Sequence, residues 1–237
     1  MENSQKGNIR TDSIRSIIYG IGEVIPYTYD DKRYEYKQFF DPIIEKALDE
    51  VPSSDKPKMV HMLGIPGAGK TTFYRSNKNK FKDYVLIGFD IIMERVPEYH
   101  QDREKLGKME AFKKWELPAR IAGYELLRRA IEQRKNIFFD HGGNPMCHRN
   151  LLKTVKKGGY ETTMYYIACD PQTAIERVQN RERPFPKERM PERVEALNQQ
   201  LKVMPHIVDH FIEIDNSRSN TLALLVQSLA DRFRNGK

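Results

Sequence analysis

The sequence predicts an α/β fold, a parallel sheet of about five strands with helices on both faces. Three observations carry this expectation. Short apolar runs rich in Val, Ile, Phe and Tyr occur at Met59–Leu63, Tyr84–Phe89, Asn136–Phe139, Thr163–Ala168 and Phe211–Ile214. They are too short for independent helices and read as strands. Stretches of three- and four-residue apolar periodicity separate them, as crossovers between parallel strands require. Finally, the first run leads directly into a glycine-rich segment ending in Gly69-Lys70-Thr71.

Taken in order, residues 1 to about 34 are polar, end in Tyr27-Thr28-Tyr29-Asp30-Asp31, and read as an N-terminal arm, a tail or loosely docked. A helix is expected from about Glu35 to Asp49, where Phe39, Phe40, Ile43, Ile44, Ala47 and Leu48 recur at helical steps. Val51–Pro57, rich in Pro and Ser, breaks it. Thr71–Arg75 is a short helix after the first strand. Met109–Gln133 is the longest helical pattern, with a bend or break expected at Pro118. In it, Met109, Phe112 and Trp115 read as packing the helix against the sheet. Pro145–Lys157 stops at Gly158-Gly159. Pro171–Asn180 opens with Asp170 at the cap and Pro171 at the first helical position. Pro191–Val203 and Asn220–Phe233 complete the set. No linker divides residues 35–237, which read as a single domain.

Composition narrows the function classes. Of 237 residues, 40 are Lys or Arg and 33 Asp or Glu, a net charge of +7, with 39% hydrophobic residues. That is enough apolar material for a sizeable core. The mean hydropathy of −0.70 and the lack of an 18-residue apolar run argue against a membrane span. Met1–Arg10 has no apolar stretch of the kind a signal peptide needs. The two cysteines, Cys147 and Cys169, cannot build a disulfide framework or a four-cysteine zinc site. Both features fit a cytoplasmic protein. The positive balance suits an anionic partner, nucleic acid or a phosphorylated small molecule, and equally an ordinary solvated surface.

The strongest chemical signal is Gly64-Ile65-Pro66-Gly67-Ala68-Gly69-Lys70-Thr71-Thr72, a full match to G-x-x-x-x-G-K-[ST] between a strand and a helix. Glycines allow backbone N–H groups to turn inward around phosphate oxygens. Lys70 can reach the β- and γ-phosphates, and the Thr71 hydroxyl can hold Mg²⁺. With no Asn-Lys-x-Asp motif in the chain, ATP is expected rather than GTP.

In a parallel sheet the carboxyl ends of the strands carry the chemistry. The second strand ends Gly88-Phe89-Asp90. Asp90 is the best candidate to accept a proton from a substrate hydroxyl, with a helix cap as the equal alternative. The third strand runs into Asp140-His141-Gly142-Gly143-Asn144, an apolar strand ending in the kind of Asp that holds Mg²⁺. A turn before the next helix is the alternative. Between Glu176 and Arg193, Arg177, Arg181, Arg183, Lys187, Arg189 and Arg193 alternate with acidic residues around Pro184-Phe185-Pro186. This reads as an Arg-rich lid or as a salt-bridged surface.

In this order the residues resemble the zeta toxins, P-loop kinases of bacterial toxin–antitoxin systems that phosphorylate UDP-N-acetylglucosamine or related UDP-sugars. The resemblance runs from about Tyr36 to Asn216. It rests on the helix Lys37–Leu48, the loop Leu63–Thr71, Asp90 followed by Val96-Pro97-Glu98-Tyr99, the stretch Lys157–Ala168, Ile175-Glu176-Arg177, and Arg183-Pro184. It implies a P-loop kinase fold, with ATP and Mg²⁺ as cofactors. It also implies that Lys70 binds phosphate, Asp90 is the base, and Arg177 and Arg183 clamp the transferring group. Glu125 matches a substrate-contacting Glu. Where the family usually has Glu-Gly-Thr-Gly-Arg, this chain has Asp140, His141, Gly142, Gly143 and Asn144. Asp140, His141, Gly142 and Asn144 thus fall at substrate-binding positions, and the acceptor stays open. A phosphorylated small molecule, with a UDP-amino-sugar first, stands ahead of NAD, a nucleoside or a polynucleotide 5′ end. A nucleotide-binding switch without acceptor is the non-enzymatic alternative. If the protein is toxic, an antitoxin protein is its expected partner; residues 1–34 are too short to be a complete one.

Overall fold

Each of the apolar runs forms a strand in the computed structural model, which describes residues 11–19, 25–141, 147–179 and 186–217. The strands are β1 (Lys58–Leu63), β2 (Val85–Ile87), β3 (Ile137–Phe139), β4 (Glu161–Ala168) and β5 (His210–Asp215). They make a 5-stranded parallel sheet in the order β2-β3-β1-β4-β5. The register pairs Val85 with Ile137 through Ile87 with Phe139, and Thr163 with His210 through Ala168 with Asp215. β1 is the middle strand, and every residue after Lys58 is buried, as expected of a parallel strand covered on both faces. β5 lies at an edge and buries only Ile214. Its charged Glu213 and Asp215 discourage further pairing.

The helices are α1 (Thr11–Tyr19), α2 (Lys37–Asp49), α3 (Lys70–Ser76), α4 (Phe89–Met93), α5 (Pro97–Leu106), α6 (Lys108–Glu132), α7 (Cys147–Lys157), α8 (Pro171–Gln179) and α9 (Met190–Leu201). The expected helix Asn220–Phe233 lies outside the described residues. The described residues fall into two compact units. One draws on Met1–Met59, Asp83–Phe139 and Pro145–Thr162, the other on Val60–Lys82, Asp140–Asn144 and Thr163–Lys237.

In the first unit, three expectations are corrected. Within residues 1–34, the described stretches 11–19 and 25–34 are not a loose arm. Ile14 and Ile18 of α1 are fully buried, and Tyr29 and Tyr34 nearly so. The Tyr29 hydroxyl donates to Asp41 at 2.7 Å, and the Tyr34 hydroxyl to the Pro118 carbonyl at 2.9 Å. The helical step from Ile14 to Ile18, embedded among polar residues, supplies the apolar side that docks.

Pro118 does not break the long helix, because α6 is continuous from Lys108 to Glu132. A proline inside a helix costs about 3 kcal/mol. Every residue from Ile121 to Leu127 is buried, and each large apolar side chain among them returns about 1.5–3 kcal/mol. Packing therefore outweighs the lost hydrogen bond.

Trp115 packs its ring on α2 and the residue before it. Its ring meets Tyr36 at 5.3 Å and Phe39 at 5.4 Å, both edge-on, and its Nε1–H donates to Asp102 at 2.6 Å. Met109 is 51% exposed and packs nothing in.

Candidate phosphate-binding site

The second unit contains the glycine-rich loop. β1 delivers its last residue, Leu63, into Gly64–Gly69, and α3 begins at Lys70. Gly64, Ile65, Gly67, Ala68 and Gly69 are buried, Pro66, Lys70 and Thr71 are half-buried, and Thr72 is exposed. Two of the glycines answer both to backbone conformation and to a close neighbour. Gly67 has φ +87°, and a Cβ there would stand 2.3 Å from the Ala174 carbonyl of α8. Gly69 has φ +101°, and a Cβ there would stand 2.4 Å from Asn216 Nδ2. Any side chain would be strained twice, by the backbone and by the neighbour.

Lys70 Nζ donates to the carbonyls of Gly64 at 2.8 Å and Ile65 at 3.1 Å, which holds its charge against the loop. Behind the loop, Phe73 of α3 is buried against the Tyr165 ring of β4, 4.8 Å between centroids. The Tyr165 hydroxyl accepts from Lys80 Nζ at 2.7 Å. These contacts anchor the helix that carries Lys70 and Thr71.

A second set of bonds ties the loop to the ends of β4 and β5. The Asn216 N–H donates to the Ala168 carbonyl at 2.8 Å, one step past the β4–β5 ladder. The Asn216 side chain donates from Nδ2 to the Ala68 carbonyl at 2.7 Å. The Arg177 guanidinium donates to the Asn216 carbonyl at 2.9 Å and to Cys169 Sγ at 3.4 Å. Burial raises the Cys169 thiol pKa, against the opposing charge of Arg177, so it stays a neutral thiol. Asp170 caps α8 as expected, accepting the Thr173 N–H at 2.8 Å.

Asp140 directly follows β3 and is half-buried, as is His141. In β1, His61 is fully buried and its Nδ1–H donates to the Met62 carbonyl at 2.8 Å. Burial, with His141 nearby, pushes its pKa down to about 3, so the ring is neutral. Thr71 and Asp140 are oxygen donors in one unit, the ligand type Mg²⁺ prefers.

Asp90 and Glu125 belong to the first unit. Asp90 is exposed in the first turn of α4. Gly88, not Asp90, holds the N-cap position, and its carbonyl accepts the Ile92 N–H at 2.9 Å. Capping therefore does not account for Asp90. Glu125 is 1% exposed and sits in an ion network. Its Oε1 accepts from Arg128 Nη2 at 2.6 Å and Arg129 Nε at 2.7 Å, and its Oε2 from Arg128 Nε at 2.9 Å. Burial alone would raise its pKa, but hydrogen bonds from Arg128 and Arg129 outweigh it and hold the carboxyl below its usual range. Gly142, Asn144 and Arg183 lie outside the described residues.

Asn216 was not singled out by the sequence as a functional residue. The available signal was its place, a polar residue directly after an apolar parallel strand, at the carboxyl edge where ligands bind.

A five-stranded parallel sheet whose middle strand ends in a lysine-bearing phosphate loop defines the P-loop kinase fold. Within that class the sequence model of the zeta toxin family matches residues 44–231. The chain belongs to the zeta toxin family.

Among solved structures, the chain is similar to one from the PezAT chromosomal toxin–antitoxin system of Streptococcus pneumoniae, at 19% identity and a TM-score of 0.61. That match covers 84% of this chain and 89% of that one. A putative kinase from Chloroflexus aurantiacus matches at 12% identity and a TM-score of 0.47, over 77% of this chain and 98% of that one. A shikimate kinase from Bacteroides thetaiotaomicron matches at 17% identity and a TM-score of 0.47, over 75% and 98%. No curated protein sequence matches the chain. Among the described residues, no helix is long and apolar enough to cross a membrane.

Proposed function

We propose that the protein is an ATP- and Mg²⁺-dependent kinase that phosphorylates a hydroxyl of a nucleotide-containing metabolite, with a UDP-N-acetyl amino sugar the first compound to test. The observation that carries this reading is the phosphate loop itself, with two glycines where any side chain would be strained and Lys70 held against it. Family membership supports phosphoryl transfer over a nucleotide switch.

In the reaction, the acceptor oxygen bonds to the γ-phosphorus and the bond to the β,γ-bridging oxygen breaks, so ADP leaves. Asp90 takes the hydroxyl proton. Lys70 and the backbone N–H groups of the loop Gly64–Thr72, to which Pro66 contributes none, hold the β- and γ-phosphates. Arg177 and Arg183 offset charge on the transferring group. Thr71 and Asp140 are the residues that would hold Mg²⁺, which would supply neutralisation of phosphate charge. His141, Gly142 and Asn144 line the acceptor. By family, an antitoxin protein is the macromolecular partner.

The test is incubation with γ-labelled ATP, Mg²⁺ and a metabolite extract, followed by mass spectrometry. One phosphoryl group gained by a UDP-sugar supports the proposal. Label only on NAD or a nucleoside keeps the kinase and rejects the UDP-sugar. Label only on oligonucleotide 5′ ends rejects a small-molecule acceptor, and ATP hydrolysis with no labelled product rejects the kinase.

A further inference from the structure

We infer that Asn216 is a positioning residue of the phosphate loop. Through its bond to Ala68 it turns the Ala68–Gly69 peptide so that the Gly69 N–H faces the nucleotide phosphate. The inference deepens the kinase reading and rests on it. A trans peptide is planar, with its C=O and N–H pointing in opposite directions. Asn216 Nδ2 holds the Ala68 oxygen at 2.7 Å, so the Gly69 N–H of the same peptide points away from Asn216.

The chemistry requires an amide at this position. The partner is a carbonyl oxygen, an acceptor only, so the group facing it must donate. A carboxylate of the same shape would set oxygen against oxygen. Gly69 is the matching half, since a Cβ there would come within 2.4 Å of Nδ2 and push the amide off.

Asn216 is itself held at both main-chain ends. Its N–H goes to Ala168 and its carbonyl receives Arg177 at 2.9 Å. It is 7% exposed. Arg177 therefore reaches the loop through Asn216, and this residue carries the geometry of the β4 and β5 ends to the peptide that meets phosphate.

The test is MgADP affinity by titration calorimetry on wild type, Asn216→Ala and Asn216→Asp, which needs no acceptor. Loss of one neutral hydrogen bond weakens Kd about two- to tenfold in Asn216→Ala. Asn216→Asp keeps the volume but repels the carbonyl, so its Kd is weaker than that of the alanine variant, roughly tenfold or more above wild type. In turnover assays the KM for ATP rises in both while kcat changes less, the pattern of lost uniform binding.

A packing role predicts the reverse order, with the isosteric Asp variant the better binder. That order, or wild-type affinity in both variants, overturns the inference. A readout on wild type needs no variant: the Gly69 amide proton shifts downfield on saturation with MgADP, and an unmoved resonance overturns it. Wild type that binds no MgADP rejects the kinase reading itself. Wild type that binds, with variants that bind equally, rejects only the role of Asn216.

Discussion

Glu125→Gln separates a structural carboxylate from a substrate-binding one. The substitution keeps the shape and removes the charge that three guanidinium hydrogen bonds from Arg128 and Arg129 now meet. Breaking a buried ion pair from one side costs about 3–5 kcal/mol. Both arginines retain a second carboxylate, Arg128 on Glu132 and Arg129 on Glu45. This places the loss near the lower bound, about 3 kcal/mol. For a chain of this size each kcal/mol moves Tm by about 2–4 °C, so the variant should melt roughly 6–12 °C lower at pH 7.

The sign of the pH dependence follows from the depressed carboxyl. Its pKa is lower folded than unfolded, so its stabilisation is fully present above the unfolded value, about 4.3, and disappears as pH falls through the folded one. The deficit of the variant should be constant from neutral pH to about 5 and shrink in more acidic solution. The assay is urea or thermal denaturation across that range, with acceptor KM measured in parallel. A stability loss below about 1 kcal/mol, together with a raised acceptor KM, would refute the structural assignment and return Glu125 to the substrate.

Lys70→Ala should abolish phosphoryl transfer while leaving the fold intact, and measurable turnover near wild type would show that the loop does not hold reacting phosphate. Asp90→Asn should slow the chemical step by about a hundredfold or more while MgADP binding is retained. A fall in nucleotide affinity alone would make Asp90 a structural or metal-binding residue. Ile18→Ala should cost about 2–5 kcal/mol in denaturant unfolding, because Ile18 is fully buried, and a loss under about 0.5 kcal/mol would contradict docking of α1.

The strands were legible because each is a contiguous apolar run. The phosphate loop was legible because its whole geometry is written in nine consecutive residues, Gly64 to Thr72. Asn216 was not, since the carbonyl it holds is 148 residues away and no local pattern announces the pairing. α1 was legible in principle, since Ile14, Ile17 and Ile18 stand at helical steps with a one-sided pattern at least as marked as that of α2, but the polar balance of residues 1–34 masked it. The ion network of Glu125 is a different case. Arg128 and Arg129 stand three and four residues on, the spacing at which helix side chains meet, so its ion network could have been read from the sequence. At Pro118 a break, one of the two outcomes a proline permits, is overridden by tertiary packing.

The way the units are threaded has a consequence for biosynthesis. The chain passes from one to the other after Met59, Lys82, Phe139, Asn144 and Thr162. Neither can be excised by trimming an end, and the first is not fully made until Thr162 has been added. Nascent chains emerge N-terminus first, so the glycine loop leaves the ribosome long before Asn216, which secures it. A ribosome that terminates anywhere between Thr72 and Asn216 releases a product carrying the entire Gly64–Thr72 motif without the Asn216 tether. In a protein of a toxin family, that delay makes the emergence of Asn216 the step at which the loop acquires this fastening.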